Sequence, residues 1–131
     1  MLTRCRTGLY TQLEINRGLP ATMLVKHFAR AGTGWELSEK VRSVVTFSQH
    51  NLLSPPPPGG GPFDVIFLRN VLIYFDLETK REVLRRVRSA IRPKAFLLLG
   101  AAETTWGLDD AWERVPVERG STYQLSSRRA A

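Results

Sequence analysis

The clearest pattern of apolar and polar positions lies in the second half of the chain. Residues 64–68 form a short apolar run rich in Val, Ile and Phe, residues 76–92 carry an apolar stripe at helical period, and residues 95–99 are continuously apolar. A stripe of period 3.6 predicts a helix, and short apolar runs predict buried parallel strands. Asp76 suits the N-cap, and Pro93 stops the helix. The pattern therefore predicts a strand–helix–strand unit.

Weaker patterns precede this unit. Residues 20–31 begin at Pro20 and carry apolar side chains at helical spacing, which predicts a helix that ends at Gly32. Residues 44–47 are β-branched and aromatic, which predicts another strand. Residues 54–62 read SPPPPGGGP and predict a surface loop between two strands.

The last part of the chain predicts a β-hairpin. Residues 112–117 and 122–125 have the pattern of short strands, with a turn at Arg119 and Gly120 between them. Pro116 is tolerated in a strand only at the edge of a sheet, so the hairpin is expected to form an antiparallel edge. The predicted fold class is α/β, with a mostly parallel sheet and an antiparallel C-terminal hairpin.

Polar residues or glycine follow three of the predicted strands. They are Asn51, Arg69 with Asn70, and Gly100. Ligands of open α/β sheets bind outside the carboxyl ends of the strands, so these residues are predicted to face a ligand cleft, with Gly100 allowing close approach. For each of these positions an alternative to a ligand contact stays open. Arg69 and Asn70 could instead cap the loop and the following helix. Asn51 could instead be a turn residue whose side chain bonds its own backbone.

The charge balance narrows the choice of partner. Nineteen Lys and Arg residues against twelve Asp and Glu give a net charge of +7. This charge suits an acidic partner such as nucleic acid, anionic lipid or a glutamate-rich protein surface. The arginines are scattered or lie on the predicted helix, and no aromatic residues interleave them to stack on bases. Nucleic acid is therefore not the predicted partner.

Cysteine content and hydropathy bear on the compartment. The single cysteine, Cys5, has no disulfide partner and no Cys or His at metal-ligand spacing. No metal site is therefore predicted, and a reduced, cytoplasmic protein is expected. No apolar run approaches the ~20 residues of a membrane span, so no membrane insertion is predicted. The 131 residues, 43% of them hydrophobic, suffice for one domain with a core.

Several separated motifs of this chain occur together in a known family. They are TGLYTQLEINRGLPATMLVKHF, VTFSQHNLL, FDVIFLRNVLIYFDLETKREVL, LLLGAAET and RGSTYQL. In this order the motifs resemble CheR-type chemotaxis protein methyltransferases, over about residues 5–125. Leu68 departs from the family, which often has cysteine before Arg-Asn, and the loop of residues 54–62 is particular to this chain.

The resemblance implies both a fold and a reaction. The fold is a Rossmann-like methyltransferase sheet. The reaction is methyl transfer from S-adenosylmethionine, leaving S-adenosylhomocysteine, to glutamate side chains in a glutamate-rich helical region of methyl-accepting chemoreceptors. By similarity, the cofactor contacts fall on Asn51, Leu52, Arg69 and Asn70, and Tyr74 lies close to the methyl-transfer site. The residue pattern alone favours Tyr74 as a core aromatic.

Two features expected of such an enzyme are missing. No glycine-rich turn follows a first strand, and no acidic residue ends a second strand to hold a ribose. In the family both lie upstream. Residues 1–125 are therefore expected to be the C-terminal portion of the methyltransferase domain, followed by a flexible tail at 126–131. A missing N-terminal half or a partner chain would complete the site, and the chain by itself is expected to bind the cofactor poorly and to be weakly active or inactive. The alternative is a non-catalytic interaction module that retains half of the fold.

Overall fold

A computed structural model describes residues 1–56, 59–118 and 120–126 of the chain. These residues form two units, Met1–Gln49 and His50–Ala131. Each unit has its own sheet, with three strands in the first and four in the second.

The first unit is built from short elements. In chain order they are α1 (Leu2–Thr7), β1 (Leu9–Tyr10), α2 (Gln12–Ile15), α3 (Ala21–His27), β2 (Phe28–Ala31), β3 (Gly34–Leu37) and α4 (Glu39–Arg42). Strand β3 lies between β1 and β2 and is antiparallel to both. Within this unit only Gly8 and Ile15 are buried, so its elements enclose almost no apolar core.

The predicted helix over residues 20–31 is wrong in its last four residues. Helix α3 ends at His27, and β2 follows directly and pairs with β3. Gly32 adopts a left-handed φ of 57° between the two strands, which suits the tight turn of a hairpin. The backbone hydrogen bonds of the hairpin therefore replace those that would have continued the helix.

The predicted strand over residues 44–47 is also wrong. Residues 45–50 have no regular structure, and the side chains of Val44 and Val45 are 80% and 45% exposed. Strand preference of β-branched residues depends on a neighbouring strand that supplies hydrogen bonds and a packing surface. Among the described strands, none pairs with this segment.

The second unit contains the predicted strand–helix–strand unit and hairpin. Its elements are β4 (Phe63–Leu68), a 3₁₀ turn (Leu72–Tyr74), α5 (Leu77–Ala90), β5 (Ile91–Leu99), β6 (Trp112–Val115) and β7 (Ser121–Leu125). The strand order is β4-β5-β7-β6, with β4 parallel to β5 and the other two pairs antiparallel. The α/β class and the antiparallel C-terminal hairpin are thus confirmed. The sheet is mixed and not mostly parallel as expected, because β4 with β5 is the one parallel pair among the described strands.

Helix α5 begins where the sequence predicts and ends slightly earlier. The Asp76 side chain accepts a hydrogen bond from the backbone N–H of Thr79 at 2.8 Å, as an N-cap does. The helix ends at Ala90, and β5 starts at the next residue, so the strand is longer than predicted.

One face of the parallel pair carries the core of this unit. Val83 and Leu84 of α5 form one buried cluster with Leu68 of β4 and with Leu97 and Leu99 of β5. The residues that alternate with them along the strands point to the opposite face, as the pleat of a strand requires. On that face Val65, Phe67 and Phe96 are 46%, 69% and 38% exposed. Among the described strands, β4 pairs with β5 alone and is therefore an edge.

The predicted tail falls mostly outside the described residues. Ser126 is described, and its backbone N–H donates a hydrogen bond to the carbonyl of Ala111 at 2.8 Å. Residues 127–131 lie outside the described residues, as do Arg119 of the predicted turn and residues 57–58 of the predicted loop. None of the helices in the described ranges combines the length and apolar character that crossing a membrane requires.

Candidate functional site

The carboxyl ends of β4 and β5 meet at one rim of the sheet. The parallel register pairs Leu68 with Leu99, so Asn70 and Gly100 lie just beyond neighbouring strand ends. A Cβ atom placed on Gly100 would lie 2.2 Å from the Asn70 Oδ1 atom and 2.7 Å from Glu103 Oε2. The prediction that these two strand ends meet is confirmed. The atoms that approach the Gly100 backbone closely are those of Asn70 and Glu103, and they occupy the space that a ligand was expected to fill.

Glu103 joins the two strand ends through its carboxylate. Its Oε2 atom accepts hydrogen bonds from the backbone N–H groups of Asn70 at 2.8 Å and Gly100 at 2.7 Å. Its Oε1 atom accepts from the backbone N–H groups of Val71 at 2.8 Å and Ile73 at 3.3 Å. The residue is only 6% exposed. One buried carboxylate therefore holds the backbone of the turn after β4 against the end of β5.

These contacts keep Glu103 ionised. Burial acts to raise the pKa of the carboxyl group, but the hydrogen bonds from the backbone N–H groups of Gly100, Asn70, Val71 and Ile73 together outweigh it. The pKa of Glu103 consequently lies below its ordinary value of 4.5. At neutral pH the turn therefore closes around a negative charge that is fully hydrogen-bonded.

The turn presents Arg69 and Asn70 to solvent. Asn70 has a φ of 57°, in the left-handed region that asparagine tolerates better than most residues. Both residues are exposed, and their side chains form no hydrogen bond or ion pair with any residue in the described ranges. Glu103 caps this turn and Asp76 caps α5, so the alternative role of Arg69 and Asn70 as caps is wrong.

Arg69 differs in this respect from the arginines of α5. Those arginines pair with carboxylates: Arg81 with Glu78, Arg85 and Arg86 with Glu82, and Arg88 with Asp109. The guanidinium of Arg69 has no such partner within the described ranges. Its five N–H donors are thus available to a ligand at the rim.

Tyr74 lies in the 3₁₀ turn that follows. Leu72, in the same turn, is 2% exposed and anchors the turn to the core, whereas Tyr74 is 80% exposed. The alternative that Tyr74 is a core aromatic is therefore wrong. The hydroxyl of Tyr74 is accessible to a second molecule near the same rim.

Asn51 and Leu52 have a different setting. The Asn51 Oδ1 atom accepts a hydrogen bond from the backbone N–H of Leu53 at 3.0 Å, which is the turn role that the sequence left open. Leu52 packs, half-buried, against the core cluster. Among the described residues no strand ends directly before Asn51, since residues 45–50 have no regular structure, so the strand-end argument for its place on the rim fails. Cofactor contact by Asn51 and Leu52 stays a prediction that rests on the family resemblance.

Sequence reasoning assigned no role to Glu103. The signal that was available is an isolated acidic residue three positions after the glycine that ends a buried strand. Residues 100–103 form a turn in which the Glu103 N–H donates to the carbonyl of Gly100 at 3.0 Å. This turn returns the carboxylate to the strand ends, a contact that a linear pattern does not reveal.

Comparison with known proteins identifies the family. The family model described as CheR methyltransferase, SAM binding domain, matches residues 1–120. The chain belongs to the CheR methyltransferase family. S-adenosylmethionine is accordingly the cofactor of this domain.

Several similar proteins are named chemotaxis protein methyltransferases. The chain is 42% identical over 125 residues to the chemotaxis protein methyltransferase Cher2 of Pseudomonas putida, covering 95% of this chain and 45% of that protein. It is 40% identical over 126 residues to a chemotaxis protein methyltransferase of Vibrio parahaemolyticus, with 95% and 46% covered. The corresponding Vibrio anguillarum protein is 39% identical over 126 residues, with 95% and 46% covered. The chain thus spans less than half the length of these relatives.

The free side chains at the rim fit the polar groups of this cofactor. The Arg69 guanidinium can donate in a fork to a carboxylate or to ribose hydroxyls, and the Asn70 carboxamide can both donate and accept, as an adenine edge or a ribose requires. Glu103 contributes no free acceptor, because its oxygens already receive four backbone hydrogen bonds. The polar groups exposed at the rim are therefore one cation, the Arg69 guanidinium, and one neutral amide, that of Asn70. Such groups suit a ligand that carries a carboxylate.

Proposed function

We propose that this chain supplies one side of the S-adenosylmethionine site of a protein-glutamate O-methyltransferase that acts on chemoreceptors. The observation that carries the proposal is the pair of unpartnered, exposed side chains of Arg69 and Asn70, fixed on the strand-end rim of a CheR-family chain. The names of the relatives, chemotaxis protein methyltransferases, support receptors as the substrate class.

Each predicted site residue has a role in this proposal. Arg69 and Asn70 hold the polar groups of the cofactor from the rim. Asn51 and Leu52 contact the same cofactor, as in the family. Tyr74, whose side chain is exposed beside the rim, orients the incoming glutamate carboxylate through its hydroxyl group.

The reaction needs positioning more than acid–base chemistry. Bound S-adenosylmethionine supplies an electrophilic methyl group on a sulfonium. An exposed glutamate has a pKa of about 4.3 and is therefore already a carboxylate at neutral pH, so it needs no general base. The residues at the rim align the two reactants and exclude water, and alignment can lower a barrier by about 7–11 kcal/mol.

The proposed site is shared with a part of the enzyme that the chain does not span. Strand β4 has a free edge among the described strands, and the apolar face with Val65, Phe67 and Phe96 is open. An exposed apolar strand edge is a surface that proteins normally cover. We propose that an upstream segment or a partner chain covers it, and that the assembled enzyme works in the cytoplasm.

A second candidate function is a non-catalytic interaction module. The same open apolar face favours it, because a large exposed apolar patch often marks a protein-binding surface. In that case the rim would bind no cofactor, and the chain would dock on receptors or signalling partners.

Titration with S-adenosylhomocysteine, the reaction product, separates the two functions. We would follow the backbone amide signals of the 131-residue chain by NMR up to millimolar ligand. The proposal predicts weak binding with shifts concentrated around Arg69 and Asn70, lost in Arg69→Ala and in Asn70→Ala. Arg85→Ala, which removes an arginine paired with Glu82 on α5, is the matched control and should bind as the unmodified chain does.

Two results of this titration would contradict the proposal. A folded sample whose amide signals do not move at millimolar ligand would reject cofactor binding by this chain alone. Shifts that persist in both rim variants would mean that the ligand binds elsewhere.

A further inference from the structure

We propose that Glu103 is the positioning residue of the rim. Its carboxylate fixes the backbone conformation in which Arg69 and Asn70 are presented to a ligand. The existing contacts of the carboxylate carry this inference, and the identity of the ligand rests on the proposed function. Nothing in the proposal requires Glu103 to touch the cofactor or the substrate.

The geometry excludes direct contact between Glu103 and a ligand. A carboxylate offers about four lone-pair directions to donors. Four backbone N–H groups, those of Asn70, Val71, Ile73 and Gly100, occupy them at 2.7–3.3 Å. The residue is also 6% exposed. Glu103 therefore acts on a ligand only through the backbone that it holds.

The conformation of Asn70 depends on this carboxylate. Asn70 has a left-handed φ of 57°, which an L-residue adopts at a cost unless its surroundings fix it. In that conformation the N–H groups of Asn70, Val71 and Ile73 converge on one carboxylate. Without an anion between them, these buried donors would turn toward water and the Asn70 side chain would move with them.

Glu103 also links the two strand ends. Its Oε2 atom accepts hydrogen bonds from the N–H group of Asn70, just after β4, and from the N–H group of Gly100, just after β5. The missing Cβ of Gly100 leaves room for the Asn70 Oδ1 atom next to its Cα atom. The carboxylate thus sets the separation of the strand ends as well as the twist of the turn.

Substitution of Glu103 by glutamine keeps the shape of the side chain but removes its charge and one of its two acceptor oxygens. Glu103→Gln leaves one carbonyl oxygen for four N–H donors and places an NH₂ group against two of them. Glu103→Asp keeps the charge but shortens the reach. We expect affinity for S-adenosylhomocysteine to fall about tenfold or more in Glu103→Gln, with partial recovery in Glu103→Asp.

The matched control is Asp76→Ala. Asp76 also accepts a backbone hydrogen bond, from Thr79 at the start of α5, and has no contact with the rim among the described residues. Loss of this cap should lower the stability of the chain and leave the affinity unchanged. A purely structural role for Glu103 would make the two variants behave alike, with binding following stability.

Amide hydrogen exchange supplies a readout that needs no ligand. We expect faster exchange at Asn70, Val71, Ile73 and Gly100 in Glu103→Gln, out of proportion to the global change. In Asp76→Ala, which removes the cap, the fast exchange should be confined to Thr79 and its neighbours. Protection that is unchanged at the four amides of Glu103→Gln would overturn the proposal, and so would faster exchange there with unaltered affinity.

The two proposals fail in different ways. If the unmodified chain does not bind S-adenosylhomocysteine, cofactor binding by this chain is rejected. The exchange pattern then decides the positioning role by itself: selective loss of protection at the four amides supports it, and no loss refutes it. If the chain binds and Glu103→Gln binds equally well, the positioning role is rejected while the cofactor site stands.

Discussion

The two units of the chain differ in what stabilises each of them internally. The second unit encloses a cluster of eleven buried residues, whereas the first buries only Gly8 and Ile15. In the first unit, polar contacts at the surface take the place of a core. Trp35 Nε1 donates to Gln12 Oε1 at 2.8 Å, and Arg42 Nη1 donates to the carbonyl of Thr7 at 2.9 Å. Because buried apolar area contributes most to stability, the second unit should be much more sensitive to truncation of its apolar side chains.

The largest effect should come from the core of the second unit. Leu84 is 0% exposed, so Leu84→Ala should cost about 2–5 kcal/mol through lost transfer free energy and the cavity left behind. The measurement is the free energy of unfolding from hydrogen exchange at the amides of α5 and β5.

The same truncation in the first unit provides the contrast. Leu13 is 67% exposed, so Leu13→Ala should change stability by less than about 0.5 kcal/mol. If Leu84→Ala and Leu13→Ala lowered the free energy of unfolding by similar amounts, burial of apolar side chains would not account for the difference between the two units.

The difference between the units also explains which elements could be predicted from the sequence. In the second unit apolar period and burial agree, so β4, α5, β5 and the hairpin were predicted with small boundary errors. In the first unit the pattern is weak because little is buried. Residues 28–31 pair with β3 although their apolar spacing is helical. Residues 44–47 have strand-forming residues without a described partner strand. In both cases the presence or absence of a pairing strand decided the structure, and side-chain periodicity alone does not reveal it.

The site was predictable to the extent that it depends on strand ends. Arg69, Asn70 and Gly100 follow apolar runs, and the parallel pairing of those runs brings them together. Glu103 was missed because its role depends on a turn that folds back, and on backbone N–H groups that carry no sequence signature. The exposure of Tyr74 was also beyond the pattern, since an apolar run does not reveal which residues a 3₁₀ turn directs outward.

The rim of the second unit should be almost as sensitive as its core. An added Cβ in Gly100→Ala would lie 2.2 Å from Asn70 Oδ1 and 2.7 Å from Glu103 Oε2, so the Asn70 side chain must turn away and the hydrogen-bonded Glu103 carboxylate must shift. We expect a loss of about 1–3 kcal/mol, typical of overpacking. Chemical denaturation measures it, with Ala101→Ser at the adjacent exposed position as control. An unchanged midpoint would mean that the Asn70 side chain and the Glu103 carboxylate can move at no cost.

Acid should weaken the rim in a way that depends on Glu103. The pKa of Glu103 is lowered in the folded chain, so the unfolded state takes up a proton first as pH falls. The stabilisation from its carboxylate is therefore present above its ordinary value of 4.5 and is lost as pH falls through the lowered value. The stability difference between the unmodified chain and Glu103→Gln should be largest near neutral pH and shrink on acidification. A difference independent of pH would show that the charge of Glu103 is not what matters.

A smaller effect than those at the core and the rim should come from the polar contacts of the first unit. Thr11 and Glu14 form a capping box on α2. The Thr11 hydroxyl accepts from the Glu14 N–H at 3.3 Å, and the Glu14 carboxylate accepts from the Thr11 N–H at 2.8 Å. Thr11→Ala removes the first bond and should cost about 1 kcal/mol. The measurement is hydrogen exchange at the amides of α2 and β1.

Thr33→Ala is the control for this last variant. Thr33 is exposed in the turn between β2 and β3, and its side chain makes no hydrogen bond within the described ranges, so its loss should leave exchange unchanged. If Thr11→Ala instead destabilised the chain as much as Leu84→Ala does, the short elements of the first unit would depend on their caps as strongly as the second unit depends on its core. Stability would then not follow buried apolar area in this chain.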